Sequence, residues 1–269
     1  MSDPRPTPSA SVYLESRYRK LVRGLPQTVL FCPRCKGGRR RRVGCPLCEG
    51  RGRLAEDSVQ QIIGRSLTPL FGARTCRFHG AGREDIDVLM LGRGRPFVFE
   101  VVGPAHPELE VADLHSAVGA AAGGRIEVAP FVRCTRERVR FWKTANFAKT
   151  YRARASLEAP PAVDPAILVG GDFVLAQRTP ERVAHRRADL IRERRVEVQA
   201  VTVVGACELD LTLRCEHGTY VKEWVSGDGG RTVPSVARLL GAPATCTELD
   251  VLDIGDLEKA ESVRSVPPR

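Results

Sequence analysis

Asp85-Ile86-Asp87-Val88-Leu89-Met90-Leu91, then Gly92-Arg93-Gly94, then Arg95-Pro96-Phe97-Val98-Phe99-Glu100-Val101-Val102, is the stretch on which the fold turns. Ile86, Val88 and Met90 alternate with Asp85, Asp87 and Leu89, the period of two that sends successive side chains to opposite faces of a strand. Gly-Arg-Gly has the composition of a turn, and the β-branched and aromatic run after it reads as a second strand. The stretch therefore predicts an antiparallel hairpin. Asp85 would stand at the mouth of its first strand, just beyond the flexible His79-Gly80-Ala81-Gly82, a carboxylate on a rigid base served by a mobile loop.

Beyond this stretch, Ala112 to Ala122 reads as an alanine-rich helix and Arg125 to Cys134 as a strand. Arg195 to Val204 and Glu208 to Cys215 form a strand pair around Gly205-Ala206. Val233 to Leu240 reads as a helix ahead of a strand from Thr247 to Ile254, and Gly170-Gly171-Asp172 marks a loop. Strands outnumber helices and the links suit hairpins, so the expected class is α+β with a mixed, largely antiparallel sheet.

A chain of 269 residues can bury a core without disulfide staples. No apolar run approaches the roughly 18 residues that cross a bilayer, and no basic amphipathic helix speaks for a membrane surface. Met1 to Ala10 is rich in Pro and Ser, without the apolar centre of a secretory signal, and reads as a disordered lead-in. These features predict a cytoplasmic protein. The formal charge is +10, and lysine supplies only 6 of the 42 basic residues. Arginine grips phosphate with a planar fork, so the favoured partner is a nucleic acid.

Four of the nine cysteines are grouped as Cys32-Pro33-Arg34-Cys35 and Cys45-Pro46-Leu47-Cys48. Two CxxC knuckles supply the four thiolates that structural zinc prefers. Arg39, Arg40, Arg41 and Arg42 lie between them, a candidate grip on a phosphate backbone whose affinity falls with salt. Little else in these 22 or so residues could make a core, so folding of the module should depend on the metal.

On physical grounds alone, a carboxylate at a strand mouth is more often a turn or ion-pair residue than a catalyst. One sharper reading joins Asp85 and Asp87 with Glu100 as a metal-dependent nuclease site; the lysine such sites place two residues after the glutamate is here Val102. The other rests on resemblance. His79-Gly80-Ala81-Gly82-Arg83-Glu84-Asp85-Ile86-Asp87-Val88, continuing through Gly92-Arg93-Gly94-Arg95-Pro96-Phe97, resembles the catalytic motif of the archaeal and eukaryotic tRNA pseudouridine 54/55 synthases. Tyr18-Arg19-Lys20-Leu21-Val22-Arg23-Gly24-Leu25-Pro26-Gln27-Thr28 is similar to the family's basic segment ahead of that motif. Gly218-Thr219-Tyr220-Val221-Lys222-Glu223-Trp224, followed by Gly230-Arg231-Thr232-Val233-Pro234, is similar to its C-terminal signature.

The resemblance implies a pseudouridine synthase-like fold, two sheet halves enclosing a catalytic cleft, with a small zinc-knuckle module. It implies isomerisation of uridine to pseudouridine in RNA, in the T-arm of tRNA at position 54, 55 or both, with no organic cofactor. Asp85 takes the place of the nucleophile. Tyr151 matches the tyrosine that stacks on the base and assists removal of the C5 proton, and Lys222 the basic partner of the aspartate, with Tyr220 packed beside them in the core. Arg83, Arg19, Lys20 and Arg23, with Arg39 to Arg42, are the expected RNA contacts.

Two further basic stretches, Arg133 to Lys143 and Arg182 to Arg195, read as RNA tracks or solvated faces. The expected organisation is a lead-in over 1–12, a basic joining segment over 13–31, the zinc module over 32–53, the catalytic domain over 54–258 and a flexible tail over 259–269. Family members carry a long N-terminal RNA-binding domain with a THUMP module, and only a short stretch precedes the resemblance here, so the motif speaks to the chemistry more than to the target. A zinc-containing RNA-binding module without catalysis stands as an alternative.

Overall fold

The computed structural model of the chain describes residues 11–185 and 187–255. The first ten residues of the expected lead-in, Arg186 and the tail over 259–269 lie outside them. The chain forms two compact units, one up to Ala145 and one from Asn146, a division inside the stretch expected to be a single catalytic domain.

The first unit runs β1 (Val12–Lys20), α1 (Val59–Leu67), β2 (Thr75–Gly80), β3 (Leu89–Val102), α2 (Leu114–Ala122), β4 (Ile126–Val128), β5 (Val132–Cys134) and α3 (Arg136–Thr144). All pairings are antiparallel: β2 pairs with β3, β3 with β1, and β1 with β4 near Lys20 and with β5 near Tyr13. Phe97, Val98, Phe99 and Val101 of β3 are all fully buried, so this strand is covered on both faces and loses the alternation of a half-exposed one. The apolar positions of α1, Val59, Ile62, Ile63 and Leu67, recur at helical spacing and are all buried, and Ser58 caps the helix by accepting from the Gln61 N–H at 3.2 Å.

The hairpin expected within Asp85 to Val102 is not formed. Residues on both sides of Gly92-Arg93-Gly94 pair with the same neighbour, β1: Met90 opposite Lys20 and Arg95 opposite Tyr18. The glycines therefore sit in a bulge inside one long strand rather than in a turn between two. Gly94 has φ +79°, and a Cβ there would stand 2.8 Å from the Tyr18 carbonyl oxygen. Gly94→Ala is therefore expected to cost about 1–3 kcal/mol through backbone strain and this clash. A urea midpoint equal to that of the parent would refute a close approach here. The true hairpin lies one element earlier: β2 and β3 are partners, and residues 81–88, with Asp85 among them, are their connection.

The expected strand from Arg125 to Cys134 is split into β4 and β5 at Ala129-Pro130-Phe131, since Pro130 has no N–H to give a ladder.

The second unit runs β6 (Lys149–Leu157), β7 (Asp172–Arg178), α4 (Glu181–Ala184), β8 (Ile191–Gly205), β9 (Glu208–Cys215), α5 (Val221–Ser226), β10 (Thr232–Val233), α6 (Val236–Leu240) and β11 (Ala244–Ile254). Its sheet is ordered β10-β7-β8-β9-β6-β11, antiparallel throughout. The expected pair around Gly205-Ala206 is β8 and β9, and the expected C-terminal strand is β11. The helix expected from Val233 starts only at Val236, because Pro234 intervenes and Ser235 is the cap, accepting from the Arg238 N–H. The antiparallel α+β class expected from sequence is the one observed. No helix among the described residues is long and apolar enough to cross a membrane.

Candidate active site and metal centre

Asp85 is exposed in the β2–β3 connection, and that connection is tied down from within. The Glu84 carboxylate, with no exposed side-chain surface, pairs with Arg95 Nε at 2.7 Å and accepts from the Tyr18 hydroxyl at 2.7 Å. Burial, with the Glu84 charge second, holds the Tyr18 phenol well above its ordinary pKa, so it stays a donor. Gln27 Nε2 donates to the Tyr18 oxygen and to the Gly82 carbonyl, and Arg95 Nη1 donates to the Ala81 carbonyl at 2.8 Å. Lys20 is fully buried, and its ammonium donates to the carbonyls of Leu25 at 2.8 Å and of Asp85 and Ile86 at 3.1 Å each. The Gly24 N–H also reaches Ile86 O, and Arg23 Nη1 reaches Asp87 O.

Lys20 therefore cannot be one of the RNA-contacting cations expected from sequence: it has no exposed surface, and its three protons are committed to backbone. Arg19 is exposed but paired with Glu127. Arg23, Arg83 and Arg39 to Arg42 are exposed, as an RNA contact requires.

Tyr151 and Lys222 belong to the second unit. Tyr151 is half-buried on β6, opposite Leu213 of β9 and Val251 of β11, on the face that buries Ala153, Ala155 and Leu157. Lys222 lies, also half-buried, in the first turn of α5, which packs against β6 and β11. Tyr220 is not in the core. Its hydroxyl accepts from Arg187 Nη1 at 2.9 Å, and the Arg182 guanidinium lies 5.9 Å from its ring centroid.

Several arginines of the two further basic stretches are committed within the protein. Arg182 pairs with Glu223, Arg194 with Glu216 and Arg195 with Asp172, and Asp189, within the second stretch, is taken up by Arg178 and Arg231 from outside it. Arg138 is buried against Glu15 at 2.7 Å, and Arg133 donates to two backbone carbonyls.

The nuclease set does not assemble. Glu100 is buried, paired with Arg77 at 2.8 Å and hydrogen-bonded to the His79 imidazole at 2.9 Å. It pairs opposite Tyr13 of β1, whereas the Asp85 carbonyl is held by Lys20, seven residues or roughly 23 Å further along that strand at about 3.3 Å per residue.

Cys32, Cys35, Cys45 and Cys48 are all buried, and their sulfurs lie within 4.8 Å of one another. The sulfurs of Cys32 and Cys45 are 3.9 Å apart and those of Cys35 and Cys48 3.7 Å, far beyond a disulfide bond. After each knuckle the chain turns left-handed, at Lys36-Gly37 and Glu49-Gly50, which brings the Gly52 N–H within 3.2 Å of Cys48 Sγ. The Cys35 N–H draws the Cys32 thiol down to about 7, while burial pushes the Cys48 thiol up to about 11. The four thiols could hold one metal ion, and among the described residues no other group of three or more metal-ligating side chains could.

Residues 13–255 match the profile of the protein family described as Pus10, C-terminal. The chain belongs to the Pus10 C-terminal family. It is 40% identical over 248 residues to the tRNA pseudouridine synthase Pus10 of Methanosphaera stadtmanae, covering 91% of this chain and 60% of that protein. The protein of the same name from Methanothrix thermoacetophila is 41% identical over 258 residues, 94% of this chain and 55% of the relative. That from Korarchaeum cryptofilum is 40% identical over 249 residues, 91% and 65%. The chain thus spans somewhat over half the length of these curated relatives. Among solved structures, a Cbf5-Nop10-Gar1 complex aligns over 73% of this chain and 45% of that one, at 15% identity and a TM-score of 0.38, too remote a likeness to argue from.

In this Pus10 C-terminal chain, sequence reasoning passed over Tyr18, Gln27, Glu84 and Arg95 as a group. Glu84 sits in a polar Arg-Glu-Asp run that carries no mark of burial, and its tyrosine partner is 66 residues away. The one available hint was the lone Arg95-Pro96 at the head of an apolar run.

Proposed function

We propose that this chain catalyses the isomerisation of uridine to pseudouridine in tRNA, in the T-arm at position 54, 55 or both, with Asp85 as the nucleophile. The observation that carries this reading is its 40% identity, over 248 residues, to an enzyme named tRNA pseudouridine synthase.

The reaction breaks the bond from ribose C1′ to uracil N1, turns the base, and forms a bond from C1′ to C5; the C5 proton leaves and N1 gains one, with no net oxidation. Asp85 attacks as a carboxylate, on the ribose or on the uracil ring, and the bond it forms is broken again as C1′ is joined to C5, which returns the free aspartate. Tyr151 offers a flat face to the base and a phenol tip for the C5 proton, and Lys222 is the proposed basic partner of the aspartate. Arg83, Arg23 and Arg39 to Arg42 hold phosphate, Arg83 beside the nucleotide turned out of its stack. Their exposure supports this role.

The metal is proposed to be zinc, bound by Cys32, Cys35, Cys45 and Cys48. A tetrahedral ion with sulfurs at about 2.3 Å spaces them about 3.8 Å apart, and the spacings of 3.7 and 3.9 Å support that fit. Zinc supplies structure to the module and no step of the reaction. The same reading places the protein in the cytoplasm, where tRNA is found and thiolates stay reduced, and keeps the zinc module over 32–53 as a unit distinct from the catalytic part.

The test is incubation of the chain with an unmodified tRNA transcript, without added metal, followed by mapping of pseudouridine. Product at position 54 or 55 is expected. Tight RNA binding with no product would reduce the protein to a binding module, and strand cleavage dependent on magnesium would revive the nuclease.

A further inference from the structure

A buried ammonium that touches only backbone carbonyls is an unusual use of one of the chain's 6 lysines. Lys20 has three N–H donors, and three carbonyl oxygens lie within 3.1 Å of its nitrogen. Two of these belong to consecutive peptides, Asp85 and Ile86; the third, Leu25 O, closes the set from the segment after β1. Burial lowers the pKa of this ammonium, while the charges of Glu84 and Asp87 raise it and those of Arg95 and Arg23 lower it.

The geometry is stiff for a physical reason. If either loop carbonyl withdraws, a charged N–H loses its acceptor on a side chain with no exposed surface of its own, which costs more than a lost neutral hydrogen bond. The neighbouring contacts act in the same sense. Glu84 is clamped by Arg95 and Tyr18, and Gln27 holds the Gly82 carbonyl. The backbone is thus fixed immediately before, at and after residue 85, in a connection that has no regular secondary structure of its own.

We propose that Lys20 is a positioning residue for the reaction: by holding the Asp85 and Ile86 carbonyls it fixes the backbone from which the Asp85 carboxylate projects, and so sets the rate of the chemical step without touching RNA. This rests on Asp85 being the nucleophile. It moves Lys20 out of the RNA-gripping set and, with Tyr18 and Gln27, into the group that braces the site from beneath, while Arg23 keeps its place as a phosphate contact. Misplacing a reacting group by about 1 Å can cost on the order of 100-fold in rate, and a loop released from its cation has at least that freedom.

The experiment is single-turnover pseudouridine formation on an unmodified tRNA transcript by the 269-residue chain, at saturating enzyme, alongside equilibrium RNA binding at fixed salt. Wild type, Lys20→Gln, Lys20→Arg and Asp85→Asn are compared, each checked for folding by circular dichroism. Lys20→Gln is expected to lose about 100-fold in rate constant with unchanged RNA affinity. Lys20→Arg keeps the charge but cannot match three carbonyls with a planar fork, and is expected to lose at least about tenfold.

A folded Lys20→Gln chain with the wild-type rate constant overturns the proposal, as does a loss confined to RNA affinity, which would return Lys20 to the phosphate-binding set. If Lys20→Gln does not fold, Lys20→Arg decides by the same two readings. An inactive Asp85→Asn beside fully active Lys20 variants removes the positioning role and leaves the nucleophile standing; an active Asp85→Asn removes both.

Discussion

Asp85→Asn is expected to bring pseudouridine formation down by on the order of 10⁴-fold or more, the scale on which loss of a covalent nucleophile is felt, with folding and RNA affinity unchanged. Asparagine has the shape of aspartate but no charge to attack with. The features that shape the connection are the Asp85 and Ile86 carbonyls on Lys20 and the Glu84 carboxylate on Arg95 and Tyr18, and the substitution leaves all of them in place. Asp87→Asn is the informative companion. In a metal-dependent nuclease both aspartates would be ligands and both variants would fail alike; in the isomerase the second variant keeps most of its rate. Single-turnover product formation measures both, and product from Asp85→Asn at the parental rate would end the nucleophile assignment.

Removing the metal is expected to unfold residues 32–53 while leaving the second unit intact. The buried cluster of this module consists of four cysteines and nothing else, so no apolar core remains when the ion leaves, and structural zinc in comparable small modules contributes about 10–16 kcal/mol at neutral pH. Amide hydrogen exchange reads this directly. The N–H groups of Lys36, Arg42, Cys45 and Arg51 all bond within the module, and each should lose protection after chelation. The exposed arginines 39 to 42 would then ride on a disordered segment, and RNA affinity should fall with the loss of their fixed arrangement. Protection that survives chelation, or well under one zinc per purified chain, would rule out a metal-built module.

What could be read from sequence followed the range of the interactions concerned. The cysteine module was legible because its ligands sit within 17 residues and their spacing is the chemistry. The strands β8, β9 and β11 were legible because alternation and a short turn are local properties. The hairpin at Asp85 was misplaced because Gly-Arg-Gly has the same composition in a bulge as in a turn, and only the partner strand distinguishes them. That partner, β1, lies more than 60 residues upstream. Lys20 was misassigned for a related reason: a lysine among arginines looks like a surface cation, and the carbonyls that bury it arrive from residues 85 and 86. Tyr220 was expected in the core beside the aspartate and Lys222, whereas it is half-buried and the arginines that flank its ring come from α4 and the turn after it.

The bulge at Gly92 to Gly94 gives the β1–β3 pairing a fixed phase. Tyr18 and Lys20 are two residues apart on β1, hence on one face, and that face carries two of the holds on the Asp85 connection. A strand that slips by one residue exchanges its faces, which would turn the phenol and the ammonium away together and offer Arg17 and Arg19 in their place. With Asp85 as the proposed nucleophile, catalytic competence becomes a matter of strand phase. A single insertion or deletion between Met90 and Arg95 would leave the run from His79 to Val88 letter-perfect in the sequence and, on the proposed chemistry, disarmed in the molecule.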